Sequence, residues 1–290
     1  MSKIALDQIP SKISAEWQDW LASNIVAGCI NVDMEKVMVD NGFDPAFARS
    51  AIVVVRSMTE RVQQQSPNVL GGYQAEPLRL PKGVVLDAAG HQVEVAFSMV
   101  NPNIALLHGI LSEQECDALI EASVGKLERS LVVDRQSGGQ LPSNVRSSEG
   151  AHFQRGETDL IRSIEARIAA LTGLRVEQGE PLQILHYGLS GEYLPHHDYF
   201  DPVDPGTPVI LKTGGQRVAT LVMYLNTPEE GGATHFPELD LEVKARKGSA
   251  VYFEYMNKVG QIDSRSLHAG MPVLAGEKWI ATKWLRQSNY

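Results

Sequence analysis

Residues 182–200 read LQILHYGLSGEYLPHHDYF, two strand-forming runs separated by a turn that contains two glycines. In an extended segment, residues i and i+2 face the same side, so His196 and Asp198 can reach one metal ion while His197 points away. A second histidine from elsewhere in the chain would complete a facial triad. That ligand set holds non-haem iron(II) and leaves positions open for reactants. A His-x-Asp match is common by chance, so the surrounding sequence must show whether these two residues are metal ligands.

The sequence around this stretch is rich in short strands. Runs of β-branched and aromatic residues alternate with Gly and Pro turns from Pro181 onward, and include RVATLVMYLN, LEVKAR, SAVYFEY, SLHAGMPV and KWIATKWL. Many short strands without intervening helices favour a sandwich or a jelly roll.

Helix signals lie upstream of this β-rich part. Ser112 followed by Glu115 is a capping box that starts a helix, and a second helix is predicted over 159–171. Residues 84–100 predict a hairpin with its turn near Ala89-Gly90. The predicted fold class is therefore α+β: a double-stranded β-helix (jelly-roll) catalytic core with flanking helices and a small N-terminal helical region.

The N-terminal part, residues 14–62, shows helical periodicity, with Trp17 and Leu21 among the apolar residues at helical spacing. Asn41-Gly42 ends a short second helix, and Asp44-Pro45 starts a third. The helices form either a small peptide-binding module or an appendage packed on the catalytic core or on a partner subunit. We favour the appendage.

The domain boundaries follow from composition. Residues 63–83 are rich in Gln, Pro and Gly, which is typical of a linker. We predict a helical N-terminal region over 1–78, a linker and hairpin over 79–103, and a catalytic domain over 104–290.

Composition narrows the class of protein. With 43% hydrophobic and 21% charged residues, the 290-residue chain is typical of a soluble globular protein. A formal net charge of -9 disfavours nucleic acid as a partner, since phosphate binding requires clustered Lys and Arg.

Cellular location and assembly are indicated only by general features. Cys29 and Cys116 make no disulfide framework and fit a reducing cytoplasm. The sequence starts without the pattern of a secretory signal, and no apolar run approaches the roughly 18 residues of a membrane span. We therefore expect a cytoplasmic protein without membrane contact. A homodimer is compatible with the sequence, which leaves the oligomeric state open.

Four blocks in order, at 182–200, 214–238, 247–255 and 266–285, resemble the prolyl 4-hydroxylase family of Fe(II)- and 2-oxoglutarate-dependent dioxygenases. The similarity covers about residues 104–286. It implies Fe(II), 2-oxoglutarate and O2 as cofactor and cosubstrates, with ascorbate as an additional reductant. It also implies hydroxylation of an unactivated C–H bond, in this family at a prolyl residue.

The resemblance assigns His196, Asp198 and His268 as iron ligands. It assigns Lys278 as the cation that pairs with the distal carboxylate of 2-oxoglutarate, because a buried dianion requires a fixed counter-charge. Lys283 is the competing candidate, but its strand parity is opposite to that of Lys278. We therefore expect Lys278 in the pocket.

Further positions match residues that contact cosubstrate or substrate in the family. Tyr187 and Thr234 match hydroxyl donors to the cosubstrate, and Trp284 matches an active-site tryptophan. Arg217 matches a residue near the substrate, and Arg146 lies in an Arg-Ser-Ser sequence like one that meets substrate. The alternatives are that the first three are ordinary strand formers and that the arginines pair with surface acids.

Two long loops and one histidine need separate interpretation. Residues 134–150 and 199–215 are rich in Gly, Pro and Ser, which is typical of lids beside a site or of disordered connectors. His235 stands where the family usually has an apolar residue. Because its parity is opposite to that of Thr234, we expect it to face away from the pocket.

Three functions are compatible with these motifs. The first is hydroxylation of prolyl residues in a peptide or protein, and the second is hydroxylation of a free amino acid or another small metabolite. The third is a metal-bound binding module without activity, which the complete triad and Lys278 disfavour. The first is preferred because few charges in 199–215 could hold the termini of a free amino acid.

Overall fold

The computed structural model describes residues 13–26, 31–65, 73–133, 137, 139–142 and 147–290. The chain divides into two units, Met1–Gly72 and Tyr73–Tyr290.

The division falls earlier than the predicted boundary after residue 78. The amide of Gln74 donates to the side chain of Gln261, and Arg79 forms a 2.8 Å ion pair with the buried carboxylate of Glu254. These contacts pack the segment before the first strand against the larger unit, so that segment belongs to the catalytic part of the chain.

The smaller unit contains three helices: α1 (Ala15–Val26), α2 (Asn31–Asp40) and α3 (Pro45–Gln65). Asp44 caps α3, because its carboxylate accepts hydrogen bonds from the amides of Ala46 and Phe47. The helices share a core that includes Leu21, Met38 and other buried apolar residues. The three predicted helices are therefore found.

None of the helices in the described residues is long and apolar enough to cross a membrane.

The larger unit contains three helices and seventeen strands in the described residues. The helices are α4 (Glu113–Val124), α5 (Asp159–Thr172) and α6 (Thr207–Ile210). Strands β1 to β9 are, in order, Val85–Ala88, His91–Met99, Asn103–His108, Glu128–Arg129, Leu131–Val133, Gln140–Pro142, Glu149–Phe153, Leu182–Tyr187 and Tyr193–His196. Strands β10 to β17 are Arg217–Tyr224, Glu230–Gly231, Thr234–Phe236, Leu241–Val243, Ala250–Glu254, His268–Gly270, Val273–Ala275 and Lys278–Arg286.

These strands form two main antiparallel sheets. The larger has the order β1-β2-β3-β14-β10-β17-β8-β7-β4, and the smaller has the order β13-β12-β15-β9. The pairs β11-β16 and β5-β6 form two further small sheets. The two main sheets pack over a shared core as a double-stranded β-helix, the predicted jelly roll. The predicted hairpin, β1 and β2, forms one edge of the larger sheet.

Strand alternation divides the core into two layers. On β14, Ala250 and Tyr252 face the layer beneath helices α4 and α5, while Val251 and Phe253 face the smaller sheet. The central strands of the larger sheet, such as β10 and β14, are therefore buried on both faces. The inner face of this sheet, toward the smaller sheet, is the one that presents side chains to the candidate site.

Local signals in the sequence are confirmed at two places. Ser112 caps α4, and the reciprocal bonds of a capping box join it to Glu115. Ala89 and Gly90 form the turn of the β1-β2 hairpin with positive φ values of 56° and 82°.

The segment 199–215, which the sequence indicates as a lid, is tied to the jelly roll. The Phe200 amide donates to the side chain of Gln216, whose own amide donates back to the Phe200 carbonyl. The guanidinium of Arg286 donates to the carbonyls of Ile210 and Thr213. The segment is thus held from inside by a buried cation. Much of the other predicted lid, 134–150, lies outside the described residues.

Candidate active site

The two predicted histidine ligands meet across a strand pair. His196 on β9 lies directly opposite His268 on β15, and their ring centroids are 4.3 Å apart. Asp198 follows β9 by two residues and is buried, 6% exposed. Antiparallel pairing therefore assembles the three residues from two distant segments.

The ring orientations fit a metal ion. Nδ1 of His196 lies 2.8 Å from the carbonyl of Leu194, and Nδ1 of His268 lies 2.9 Å from the carbonyl of Ser266. Because a carbonyl only accepts, each Nδ1 donates, and the lone pair of each neutral ring is on Nε2. The two Nε2 atoms lie 3.8 and 3.7 Å from the carboxylate oxygens of Asp198. All the candidate ligand atoms lie within 4.8 Å of one another, so one divalent ion fits among them.

Asp198 is held in its ionised form. Burial by itself raises the pKa of this carboxyl, but the positive charges of His268 and His196 in their protonated forms, together with that of Arg217, outweigh it, so the pKa lies below the usual range before a metal binds. The Thr220 hydroxyl also donates to Oδ2 of Asp198 at 2.7 Å. The carboxylate is thus ready to bind a cation.

The predicted cosubstrate residues line one cleft with the triad. The cleft is lined by Leu185, Tyr187, Tyr193, His196, Asp198, Val222, Thr234, His268, Ala269, Gly270, Lys278, Ile280, Thr282 and Trp284. Tyr187, Thr234, Lys278 and Trp284 all stand in this set. Their roles as cosubstrate contacts stay predictions, but the structure brings all four together.

Lys278 is a buried cation, 3% exposed, and among the described residues no carboxylate pairs with it. Its Nζ lies 5.5 Å from the ring centroid of Tyr187, the cross-strand partner on β8. Burial lowers the pKa of Lys278 to about 8. An unpaired, desolvated ammonium at the side of the cleft favours an anionic ligand.

Lys283 lies on the opposite face of β17, as strand parity predicts. Its ammonium is 2.6 Å from the carboxylate of Glu165 on α5, and both side chains are 2% exposed. Lys283 thus forms a structural ion pair with Glu165 and does not face the cleft.

Polar hydrogens at the cleft favour a ligand that accepts hydrogen bonds. The Tyr224 hydroxyl donates to Oγ1 of Thr234 at 2.8 Å, which leaves the Thr234 proton available for another acceptor. The indole nitrogen of Trp284 is buried and has no hydrogen-bond partner among the described residues. His235 is paired with Glu242 on β13 and alternates with Thr234 along β12, so it faces away from the cleft as expected.

Arg217 has a different environment from the predicted substrate contact. Its guanidinium makes two bonds of 2.7 and 2.8 Å to Glu180 and donates to the Asp198 carbonyl at 3.2 Å. It also lies 4.0 Å from the Trp284 ring. These contacts support the iron ligand and the cleft wall. A direct contact with substrate stays a prediction, and Arg146 lies outside the described residues.

The sequence interpretation missed several residues that build the site. Glu180 accepts from Arg217 and from Arg286 at 2.8 Å, and these arginines hold the pKa of Glu180 below its usual range despite burial. Tyr193 stacks on His196 with ring centroids 3.6 Å apart. Strand parity could have placed Thr220 on the same face of β10 as Val222, behind Asp198, whereas Glu180 reaches its partners only through tertiary contacts.

A jelly roll that brings a His-Asp-His triad together with a buried, unpaired lysine defines a mononuclear iron oxygenase that uses a dicarboxylate cosubstrate. Comparison with known proteins agrees. Residues 182–286 match the model of the 2OG-Fe(II) oxygenase superfamily.

Two plant proteins and one solved structure resemble the chain more broadly. Prolyl 4-hydroxylase 1 of Arabidopsis thaliana is 42% identical over 203 residues, which cover 64% of this chain and 70% of the relative. Probable prolyl 4-hydroxylase 7 of the same plant is 39% identical over 207 residues, which cover 65% of this chain and 64% of the relative. A viral collagen prolyl hydroxylase from Paramecium Bursaria Chlorella virus-1, solved as a 2OG complex, is 32% identical with a TM-score of 0.50. That match covers 63% of this chain and 95% of the viral chain.

The chain belongs to the prolyl 4-hydroxylase family of Fe(II)- and 2-oxoglutarate-dependent dioxygenases. It is therefore an enzyme that uses Fe(II), 2-oxoglutarate and O2, and the alternative of an inactive binding module is set aside. The matched part spans about two thirds of the length of the plant relatives.

Proposed function

We propose that this protein hydroxylates a prolyl residue within a peptide or protein. The observation that carries the proposal is the set of charges in the cleft. Besides the two histidines, Asp198 and Lys278 are the acidic and basic side chains that carry charge at neutral pH among the described lining residues. Asp198 serves the metal, and Lys278 is the predicted anchor of the cosubstrate. Among the described lining residues, no charge then remains for the ammonium and carboxylate of a free amino acid, so a residue between neutral peptide bonds fits better.

The strand that carries His196 supports the same substrate class. Among the described residues, β9 is the edge strand of the smaller sheet, and Leu194 on it is 43% exposed. Tyr193 on the same strand lines the cleft. An extended chain that lies along this exposed edge therefore reaches the metal ligand without displacing the core. The relatives named as prolyl 4-hydroxylases agree with this proposal.

The residues of the chain have separate tasks in this reaction. Bound iron(II), 2-oxoglutarate and O2 supply the chemistry that hydroxylates an unactivated C–H bond. Lys278 pairs with the distal carboxylate of the cosubstrate, and Thr234 donates a hydrogen bond to it. The apolar walls formed by Val222 and Ile280 exclude water from the reacting groups.

Direct competition tests the substrate class. End-blocked proline-containing peptides and free amino acids, including proline, are offered at equal concentration with 2-oxoglutarate and Fe(II). We expect the peptides to gain the mass of one oxygen atom with matching succinate release, and an Asp198→Ala variant to show neither. Hydroxylation of free amino acids alone would replace the proposed substrate class and leave the dioxygenase assignment intact.

Several finer expectations stay predictions. We propose ascorbate as a reductant that rescues enzyme inactivated during uncoupled turnover, which prolonged assays with and without ascorbate would test. The cytoplasmic location and the absence of nucleic-acid and membrane partners are further expectations from the sequence, which is also compatible with a homodimer. Cell fractionation would test the location, and sedimentation would test the oligomeric state.

A further inference from the structure

Two hydroxyl groups stand in line behind the metal-binding carboxylate. The Thr220 hydroxyl on β10 lies 2.7 Å from Oδ2 of Asp198, and the Tyr255 hydroxyl lies 3.1 Å from the Thr220 oxygen. Thr220 and Tyr255 are both fully buried. Neither residue belongs to the triad or to the predicted contacts with cosubstrate.

The direction of the two hydrogen bonds follows from their chemistry. An ionised carboxylate only accepts, so the one proton of Thr220 must point to Asp198. The Thr220 oxygen can then only accept from Tyr255, whose proton completes the chain. Burial and the Asp198 charge raise the pKa of Tyr255 well above its usual value, so Tyr255 keeps that proton. A donor chain of this kind strengthens each of its bonds.

The backbone fixes both donors. Thr220 is paired with Phe253 on β14 and with Trp284 on β17, in the middle of the larger sheet. Tyr255 follows β14 directly, and its ring packs 6.0 Å from Phe253 and 6.1 Å from Tyr199. The larger sheet and the packing of the Tyr255 ring therefore hold both donors in place behind Asp198.

We propose that Thr220 and Tyr255 are positioning residues whose donor chain occupies a lone pair of Oδ2 of Asp198, the oxygen 3.7 Å from Nε2 of His268, and so leaves Oδ1, 3.8 Å from Nε2 of His196, as the preferred ligand atom for the metal. A carboxylate that bound the ion through both oxygens would occupy a position that 2-oxoglutarate or O2 requires. Hydrogen bonds to metal ligands are known to control their orientation and the affinity of the site. This assignment concerns the metal site and is independent of the substrate class proposed above.

Cobalt(II) alone, titrated into the metal-free full-length protein, tests the assignment. Thr220→Val removes the donor but keeps the shape, and we expect Co(II) affinity to fall on the order of tenfold. The visible Co(II) spectrum should also change, because a second Asp198 oxygen alters the set of ligands. Thr220→Ser restores the donor and should restore both signals. Tyr255→Phe should cause a smaller, severalfold loss of affinity, since Thr220 keeps its bond to Asp198.

Tyr252→Phe is the matched control. Tyr252 lies on β14, three residues before Tyr255, faces the other layer of the core and donates to Glu254, so the loss of its hydroxyl should leave Co(II) binding unchanged. Thermal unfolding of each variant shows whether it folds. If Thr220→Val does not fold, the Co(II) affinity of Tyr255→Phe tests the proposal by itself. Wild-type Co(II) affinity and spectrum in Thr220→Val and Tyr255→Phe would overturn the proposal. Failure of serine to rescue a folded Thr220→Val phenotype would do the same.

Discussion

His196 and His268 are direct cross-strand partners on β9 and β15, although they lie far apart in the sequence. The register of one short strand pair therefore decides whether the metal site exists. A slip by one residue would turn His196 away and bring His197 to the cleft side. The site depends on the jelly roll as a whole and not on the His-x-Asp motif by itself.

The triad predicts a sharp contrast between its three members and the adjacent residue His197. His196→Ala, Asp198→Ala and His268→Ala should each abolish iron binding and turnover while the fold persists, because each removes a ligand atom. His197→Ala should keep both, since the His197 ring contacts the Ser264 carbonyl on the other side. Calorimetry with Fe(II) under anaerobic conditions and succinate release measure the two properties. Normal iron affinity in Asp198→Ala would contradict the ligand assignment.

The buried ammonium of Lys278 predicts a pH-dependent requirement for cosubstrate. With a pKa of about 8 in the unliganded protein, Lys278 is charged below that pH and loses its proton above it. A dicarboxylate binds the charged form, so the KM for 2-oxoglutarate should rise about tenfold per pH unit above pH 8. Lys278→Ala should raise this KM tenfold or more at pH 7, as expected for about 2–5 kcal/mol lost from a buried charge pair.

Lys283→Ala is the control for that measurement. Its partner Glu165 lies on the helix side of the sheet, so the KM for 2-oxoglutarate should stay at the wild-type value while stability falls. Steady-state kinetics over a pH series give the KM of each variant, and thermal unfolding gives its stability. Equal KM values for the two variants would remove the reason to place the cosubstrate at Lys278.

Lys278 also predicts a change in stability with pH. Burial lowers its pKa from 10.5 to about 8, so between these values the unfolded chain holds a proton that the folded chain does not. The free energy of unfolding of the unliganded protein should therefore rise with pH across this window. Below pH 8 the desolvation penalty is fully present, about 3 kcal/mol at most. Lys278→Met should raise the melting temperature of the unliganded protein, and a lower melting temperature would contradict the account.

The parts of the fold and site that the sequence predicts are those that follow from local rules, such as strand alternation and turn preferences. The i, i+2 spacing placed His196 and Asp198 on one face, and parity separated Lys278 from Lys283, because strand alternation is a local rule. The hairpin turn at Ala89-Gly90 follows from local rules as well. The third ligand, His268, came only from resemblance, since nothing local links it to β9.

The missing parts are contacts between segments that no local pattern joins. Glu180 precedes β8, yet it binds Arg217 at the start of β10 and Arg286 at the end of β17. The resemblance predicts a position near the substrate for Arg217, but no local pattern in its sequence block indicates the bond to Glu180. Buried polar networks require the assembled sheet to bring their members together.

That network predicts a large loss of stability. Glu180→Gln would remove the negative charge that the buried guanidinium groups of Arg217 and Arg286 share. This should lower the free energy of unfolding by about 3–5 kcal/mol. Glu157→Gln, which breaks the largely exposed pair with Lys126, should change it far less. Chemical denaturation of both variants compares the two pairs. A loss in Glu180→Gln no larger than that of the surface variant would show that the network adds little.

The catalytic unit should work without the N-terminal helices if it starts at the right residue. The iron and cosubstrate positions all lie beyond residue 180, but Arg79 donates from its backbone amide and its guanidinium to Glu254, which is 3% exposed. A chain that begins at Tyr73 keeps these bonds, whereas one that begins at Gly83 leaves a buried carboxylate without its cation. We expect 2-oxoglutarate decarboxylation by the first and a destabilised or insoluble second, with Arg79→Met in the first chain reproducing the defect by about 3–5 kcal/mol. Succinate release and urea denaturation are the measurements. A folded 73–290 chain without any turnover would instead show that residues 1–72 complete the active site.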